Sequence, residues 1–346
     1  MNGKELARVL GSIYKDALRE YGRVKIDNSV LYAKVDKAAL RLELPNVSMT
    51  DMIIPYDALL YYLKMGGELE GIVPVLIQEW QRQIKQDKWA EYNFAFAKNT
   101  AIYTTISLPV TALVTALEAV LLFTSKRAFY KTNLEAVLFD FTGKSLNIVA
   151  SDGNRLCLKR VPSITDKGCY LIPAKHIATV LTLLKADKKA VDGLVTLSFS
   201  KEYLQVESPY YTLQVPTTNE IFPDYTAVTP PVAADSLHVS ARDLTDAVAN
   251  LKPYITENDT CIIDNSLKGA LTLSLAPTYT VAIEVKSVIQ QGSRLLLQVG
   301  VDYKFLRDAC KVLTKTCIIS CSAPDAPIVI REGNTLILIM PRRIEH

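Results

Sequence analysis

Six cysteines in 346 residues include no Cys-x-x-Cys pair, and only three histidines accompany them. This excludes zinc-ribbon and finger-like centres, whose ligands come in closely spaced pairs, so no metal or other cofactor is expected. Cys157, Cys169, Cys261, Cys310, Cys317 and Cys321 read instead as buried small apolar residues. Long apolar runs are missing too. The longest, LPVTALVTALEAVLLF, stops at 16 residues and includes Thr and Glu, short of a membrane span. The N-terminal MNGKELARVLGSIYKDALREYG carries a charge every three or four residues in place of an apolar signal-peptide core. A cytoplasmic protein with no membrane partner is expected. Nor is one sign of charge in excess: the formal net charge is +3, spread as +1, +2 and 0 over residues 1–106, 107–230 and 231–346. Any contact with nucleic acid must then come from patterned charge rather than a basic tail. Finally, there is no nucleophile elbow, P-loop or Gly-rich phosphate loop. Asp152 beside Arg155 and Asp224 beside Tyr225 have no nucleophile to serve, and His176 and His238 stand singly near helix starts. Catalysis is not expected.

What the chain does have is ordinary globular composition, 49% apolar and 22% charged, a length that calls for two or three domains, and a pattern that comes three times. The segments GKELARVLGSI, PVTALVTALEAV and SARDLTDAVANL each open a unit as an amphipathic helix. Period-2 strands follow in VLYAKVDKAALRLELP, AVLFDFTGKSLNIVASDGNRLCLKRVP and CIIDNSLKGALTLSLAPTYTVAIEV. A second helix then enters from a strand in MIIPYDALLYYLKMG, YLIPAKHIATVLTLL and LQVGVDYKFLRDACKVL. More strands close each unit: YNFAFAKNTAIYTTISLP, LVTLSFSKEYLQVESPYYTLQVP and CIISCSAPDAPIVIREGNTLILIMP. Three α+β domains of one type are expected, at 1–106, 107–230 and 231–346. The first is the divergent one. Its GELEGIVPVLIQEWQRQIKQDKWAEY has no counterpart and reads in part as an inserted helix with Trp80 and Ile84 four apart.

Two helices carry stripes of positive charge. From Asp302 onward, Lys304, Arg307, Lys311 and Lys315 fall on one side and Phe305, Leu306, Ala309 and Leu313 on the other, with Asp308 beside the stripe. In the first helix, Lys4, Arg8, Lys15 and Arg19 oppose Leu6, Val9, Leu10, Ile13 and Ala17. Such faces suit phosphate contact. One turn also stands out. In LNIVASDGNRLCLKR a strand breaks at Asp152-Gly153-Asn154, where Gly provides positive φ, and Arg155 follows at what should be a sheet edge.

Three landmarks, VASDGNRLCL (149–158), IFPDYTAVTP (221–230) and LILIMPRRI (336–344), in this order within a threefold α+β repeat, resemble those of the bacterial DNA sliding clamp, the beta subunit of the replicative polymerase. The resemblance covers 107–346 well and 1–106 by repeat logic. It implies helices lining an inner face, antiparallel sheets outside, and two three-domain chains meeting head to tail as a homodimeric ring around duplex DNA. It further implies sequence-independent contact with double-stranded DNA, and a role as processivity factor for the replicative DNA polymerase, with the clamp loader and other clamp-motif proteins as partners.

Those partners would bind a peptide pocket. By matching positions its walls are Leu134, Ser151, Gly153, Asn154, Arg155 and Leu156; Pro223 and Val228; and Met340, Pro341, Arg342, Arg343 and Ile344. An apolar anchor site with a few directional polar groups is the chemistry of short-peptide capture. Asn154 stands where the family usually has His, Ala227 where Arg is frequent and Arg342 where an apolar residue is common, so the implied peptide preference differs. The alternative is a clamp-fold peptide-binding or regulatory protein that does not stably encircle DNA.

Overall fold

The computed structural model describes residues 3–13, 23–35, 38–44, 52–66, 101–126, 132–162, 164, 166–186, 193–230, 236–255, 260–265, 271–276, 282–285, 288–291 and 298–344. The expected inserted helix with Trp80 and Ile84, and the cations Lys15 and Arg19, lie outside the described residues. The chain divides into two compact units, Met1–Glu118 with Asp166–Glu220, and Ala119–Thr165 with Ile221–His346.

In the first unit, β1 (Arg23–Asp27), β2 (Val30–Val35) and β3 (Ala38–Glu43) form an antiparallel meander, and β4 (Met52–Pro55) pairs back onto β1. On the other side of β3 come β12 (Tyr211–Pro216), β11 (Tyr203–Ser208), β10 (Leu194–Phe199) and β5 (Thr104–Pro109), giving the order β4-β1-β2-β3-β12-β11-β10-β5. Helix α1 (Gly3–Ile13) buries Leu6, Val9, Leu10 and Ile13 and leaves Lys4 and Arg8 exposed. It packs on α2 (Tyr56–Lys64) and on α4 (Ala174–Ala186), whose Thr179 Oγ1 donates to the Ser12 carbonyl at 3.2 Å. The strand β9 (Lys167–Pro173) leads into α4, and the chain leaves this unit through α3 (Val110–Leu121).

In the second unit, β6 (Ala136–Thr142), β7 (Ser145–Ser151) and β8 (Arg155–Pro162) form the equivalent meander. β8 pairs with β21 (Thr335–Ile339), which continues through β20 (Ile328–Glu332), β19 (Thr316–Ser320), β13 (Ser236–Ser240) and β17 (Val288–Gln291). A four-stranded sheet runs β16 (Ala282–Val285), β15 (Leu271–Ala276), β14 (Thr260–Asp264), β18 (Gln298–Asp302). Two helices follow capped strands. Ser240 Oγ accepts the Asp243 N–H at the start of α5 (Ala241–Leu251), and Asp302 Oδ1 accepts the Lys304 N–H at 2.7 Å at the start of α6 (Tyr303–Cys310), each satisfying a donor that the first helical turn leaves orphaned.

The expected order is visible in the elements themselves: α1 then β1–β3 then β4-α2; α3 then β6–β8 then β9-α4 then β10–β12; α5 then β14–β16 then β18-α6 then β19–β21. The compact units do not coincide with the sequence repeats, and the pairing shows why. The closing strand β12 joins β3 of the preceding repeat, with Leu213 opposite Leu40, and β21 joins β8 in the same way, with Ile337 opposite Cys157. Only the middle repeat is divided: its Asp166–Glu220 part joins the first repeat in one unit, and its Ala119–Thr165 part joins the third repeat in the other.

Two expectations need correction. Cys169 is exposed, although the other five cysteines are buried; burial pushes the Cys157, Cys261, Cys310 and Cys317 thiols up to about 12. And α6 ends at Cys310, so the stripe expected to run to Lys315 on one helix has only Lys304 and Arg307 on it. Lys315 lies in a following turn whose backbone N–H bonds Glu332 Oε1 at 2.6 Å.

Candidate functional site

The turn between β7 and β8 is tightly determined. Gly153 has φ +93°, a region costly for other residues, and a Cβ there would lie 3.6 Å from Leu134 Cδ1. Asp152 Oδ1 accepts the N–H groups of Asn154 and Arg155 at 3.0 and 3.1 Å. Ser151 Oγ donates to the Arg155 carbonyl at 2.8 Å and accepts the Gly153 N–H at 3.1 Å. An Asx turn and a serine thus hold the backbone N–H groups of Gly153, Asn154 and Arg155 in place.

Arg155 does not stand free at the sheet edge. Its side chain is only 8% exposed, with Nε 2.8 Å from Asp152 Oδ2 and Nη1 2.8 Å from Asp308 Oδ2 on α6. Nη2 donates to the Leu122 carbonyl at 2.9 Å, and the guanidinium lies 5.0 Å from the Phe123 ring centre and 4.6 Å from that of Phe305. A planar fork that satisfies three acceptors while stacked on two rings is a use of Arg that Lys cannot reproduce. Asp308 is shared: its Oδ1 accepts Arg307 at 3.1 Å and Lys311 at 2.8 Å. Burial alone would raise its pKa, but the hydrogen bonds from Arg155 and Lys311 outweigh that and hold the carboxyl at about 2. Helical spacing places Asp308 beside the basic stripe; in the structure two of the four expected stripe cations, Arg307 and Lys311, bond to it.

The C-terminal strand meets this turn directly. The Met340 N–H donates to the Asn154 carbonyl at 2.8 Å, just past the Arg155–Ile339 pair. The chain then crosses to β18, where the Arg342 N–H donates to the Gly300 carbonyl at 2.7 Å and Arg342 Nη2 lies 2.7 Å from Asp302 Oδ2. Gly300 permits this approach: a Cβ would lie 2.7 Å from Thr260 Cγ2, 2.9 Å from the Arg342 carbonyl and 3.1 Å from Ile344 Cγ1.

The 221–230 segment is fastened to the same meander. Asn133 Nδ2, beside Leu134, donates to the Ile221 carbonyl at 2.7 Å. Tyr225 donates to Asp140 Oδ2 at 2.5 Å and accepts Asn147 Nδ2 at 2.9 Å. Between these anchors Asp224 Oδ1 takes the hydroxyl and N–H of Thr226, bonds that depress its pKa. Pro223 and Val228 are left exposed.

The thirteen residues expected for the pocket therefore separate by exposure. Gly153, Asn154, Pro223, Val228, Met340, Arg342 and Arg343 present surface that a ligand can reach, Ser151, Pro341 and Ile344 are half-buried, and Leu134, Arg155 and Leu156 are buried supports. Sequence reasoning did not assign Asp308, Asp302, Gly300, Phe123 or Phe305 to this site. Asp302 had a readable signal as an N-cap before an amphipathic run. Asp308 had a weaker one, an acid among four cations.

No protein-family model matches the chain, and no curated protein matches it in sequence. Solved structures do match, over nearly the whole length. The chain is similar to DNA polymerase III beta subunit from Thermotoga maritima (18% identity, TM-score 0.78, 99% of this chain and 97% of that one). It is similar to the subunit from Pseudomonas aeruginosa (15%, 0.77, 99% and 99%) and to that from Borrelia burgdorferi, solved with a natural product (14%, 0.77, 100% and 98%). The chain has the α+β sliding-clamp fold, in a strongly divergent sequence.

Proposed function

We propose that the protein is a DNA polymerase processivity factor, a head-to-tail homodimeric clamp that encircles duplex DNA and tethers polymerase and other partners through the surface around Gly153, Val228 and Met340. In this reading the chain comprises three clamp domains, 1–106, 107–230 and 231–346, acts in the cytoplasm, and catalyses nothing itself. A clamp loader and further clamp-motif proteins share the same pocket.

The observation that carries the proposal is an unfinished series of strand pairings. β3 of the first repeat receives β12, and β8 of the second receives β21. The third member of that series is β16, which pairs β15 on one side and has no other strand partner among the described residues. The strand that would complete it is the closing strand of a first repeat, read from the sequence in the part of YNFAFAKNTAIYTTISLP that precedes β5. β5 itself pairs β10 and leads into α3, and the residues of that segment up to 100 lie outside the described ones. Within one chain the series runs from third repeat to second and from second to first, so the last pairing calls for a second copy. An open, heterologous edge that is covered by head-to-tail closure is how rings form.

Solution mass tests it. Sedimentation at micromolar concentration should give twice the 38.4 kDa chain mass. A strictly monomeric protein, with and without circular DNA, would favour the clamp-fold peptide binder that encircles nothing.

A further inference from the structure

Asp308 faces two ways. One oxygen, Oδ2, takes Arg155, whose Nε also holds Asp152 of the turn. The other, Oδ1, takes Arg307 and Lys311, whose side chains remain 44% and 51% exposed. One buried carboxylate is thus the counter-ion of an internal arginine and of two surface cations. We propose that Arg155 is a positioning residue that latches the Asp152–Arg155 turn to α6 through Asp308, and that the latch tightens when Arg307 and Lys311 turn to phosphate.

The reason is competition for one charge. Arg155 is fixed by its other acceptors and cannot leave Asp308, whereas Arg307 and Lys311 sit at the surface and can. When an anion outside draws those two away, the carboxylate keeps its full charge at low dielectric with Arg155 as its principal partner, and that pair strengthens. Phosphate contact on α6 would then stiffen the turn that shapes one wall of the pocket. The consequence for partner capture rests on the clamp reading above; the latch itself does not, and it is measured without any peptide.

Hydrogen exchange on the full-length protein decides the matter, read at the Asn154 and Arg155 amides that Asp152 accepts. Combined Arg307→Gln and Lys311→Gln should slow exchange there severalfold by leaving Asp308 to Arg155. Lys304→Gln removes a charge from the same helix but has no bond to Asp308, and should leave those amides unchanged. Asp308→Asn should accelerate them tenfold or more. Should that buried variant fail to fold, the comparison of the surface variants still decides. Equal behaviour of the double variant and Lys304→Gln, or faster exchange in the double variant, overturns the latch. Failure of clamp-binding peptides to bind the intact protein would count against the function proposed above and leave the exchange result standing.

Discussion

Replacing Arg155 with Ala should cost folding stability before it costs binding. The side chain makes two ion pairs at 2.8 Å with carboxylates only 15% and 12% exposed, bonds a carbonyl at 2.9 Å and lies between two aromatic rings. Removing one member of a buried pair costs about 3 to 5 kcal/mol, largely because the abandoned charge stays buried. Asp308 retains Arg307 and Lys311, and Asp152 retains two backbone donors, which places the loss at the low end, about 3 kcal/mol. A residue that merely edged a peptide pocket would instead weaken the peptide by about 1 to 3 kcal/mol and leave stability untouched. Urea denaturation followed by exchange at β7 and β8 separates the two. Arg155→Lys should recover less than half of the loss, since a point charge cannot meet three acceptors and two rings. A stability change below about 0.5 kcal/mol, the range of ordinary surface substitutions, would refute the role assigned to this side chain.

Other outcomes follow from the same geometry. Gly300→Ala should undock the C-terminal segment, because its Cβ meets the Arg342 carbonyl at 2.9 Å; faster tryptic cleavage after Arg342 and Arg343 checks this, and removal of the chain from Pro341 onward should likewise abolish peptide capture while the dimer persists. Tyr225→Phe, which loses the bonds to Asp140 and Asn147, should destabilise the 221–230 anchor by about 1 to 3 kcal/mol, read by exchange in β6 and β7. The folded pKa of Asp308 lies below its usual 3.8, at about 2, so its contribution is fully present above pH 4 and is lost as pH falls through that window; Asp308→Asn should flatten acid unfolding there. Substituting Lys4, Arg8 and Lys304 should lower the slope of log K against log salt by roughly 0.9 for each phosphate that is no longer neutralised, measured on any duplex.

The repeat is legible in the sequence because it rests on hydrophobic period, which local residues fix: Leu6, Val9, Leu10 and Ile13 mark the α1 face, and Ser240 and Asp302 mark helix starts. The turn at Gly153 is legible for the same reason, positive φ being a local requirement. The direction of Arg155 is not. It depends on Asp308, 153 positions away, and on Phe305, and no local pattern says that an acid in a basic stripe will be shared inward. The early end of α6 is hidden too, since Lys311 and Lys315 continue the helical spacing past the last helical residue. The compact units differ from the repeats because strand pairing across repeat boundaries, β3 with β12 and β8 with β21, is a long-range choice.

Retention on closed circles tests the clamp reading most directly. Loaded onto a nicked plasmid, with loader or at high protein concentration, the protein should co-migrate with the circle through gel filtration at moderate salt and dissociate when a single restriction cut opens an end. Equal retention on circular and linear DNA, or none on either, would contradict an encircling clamp.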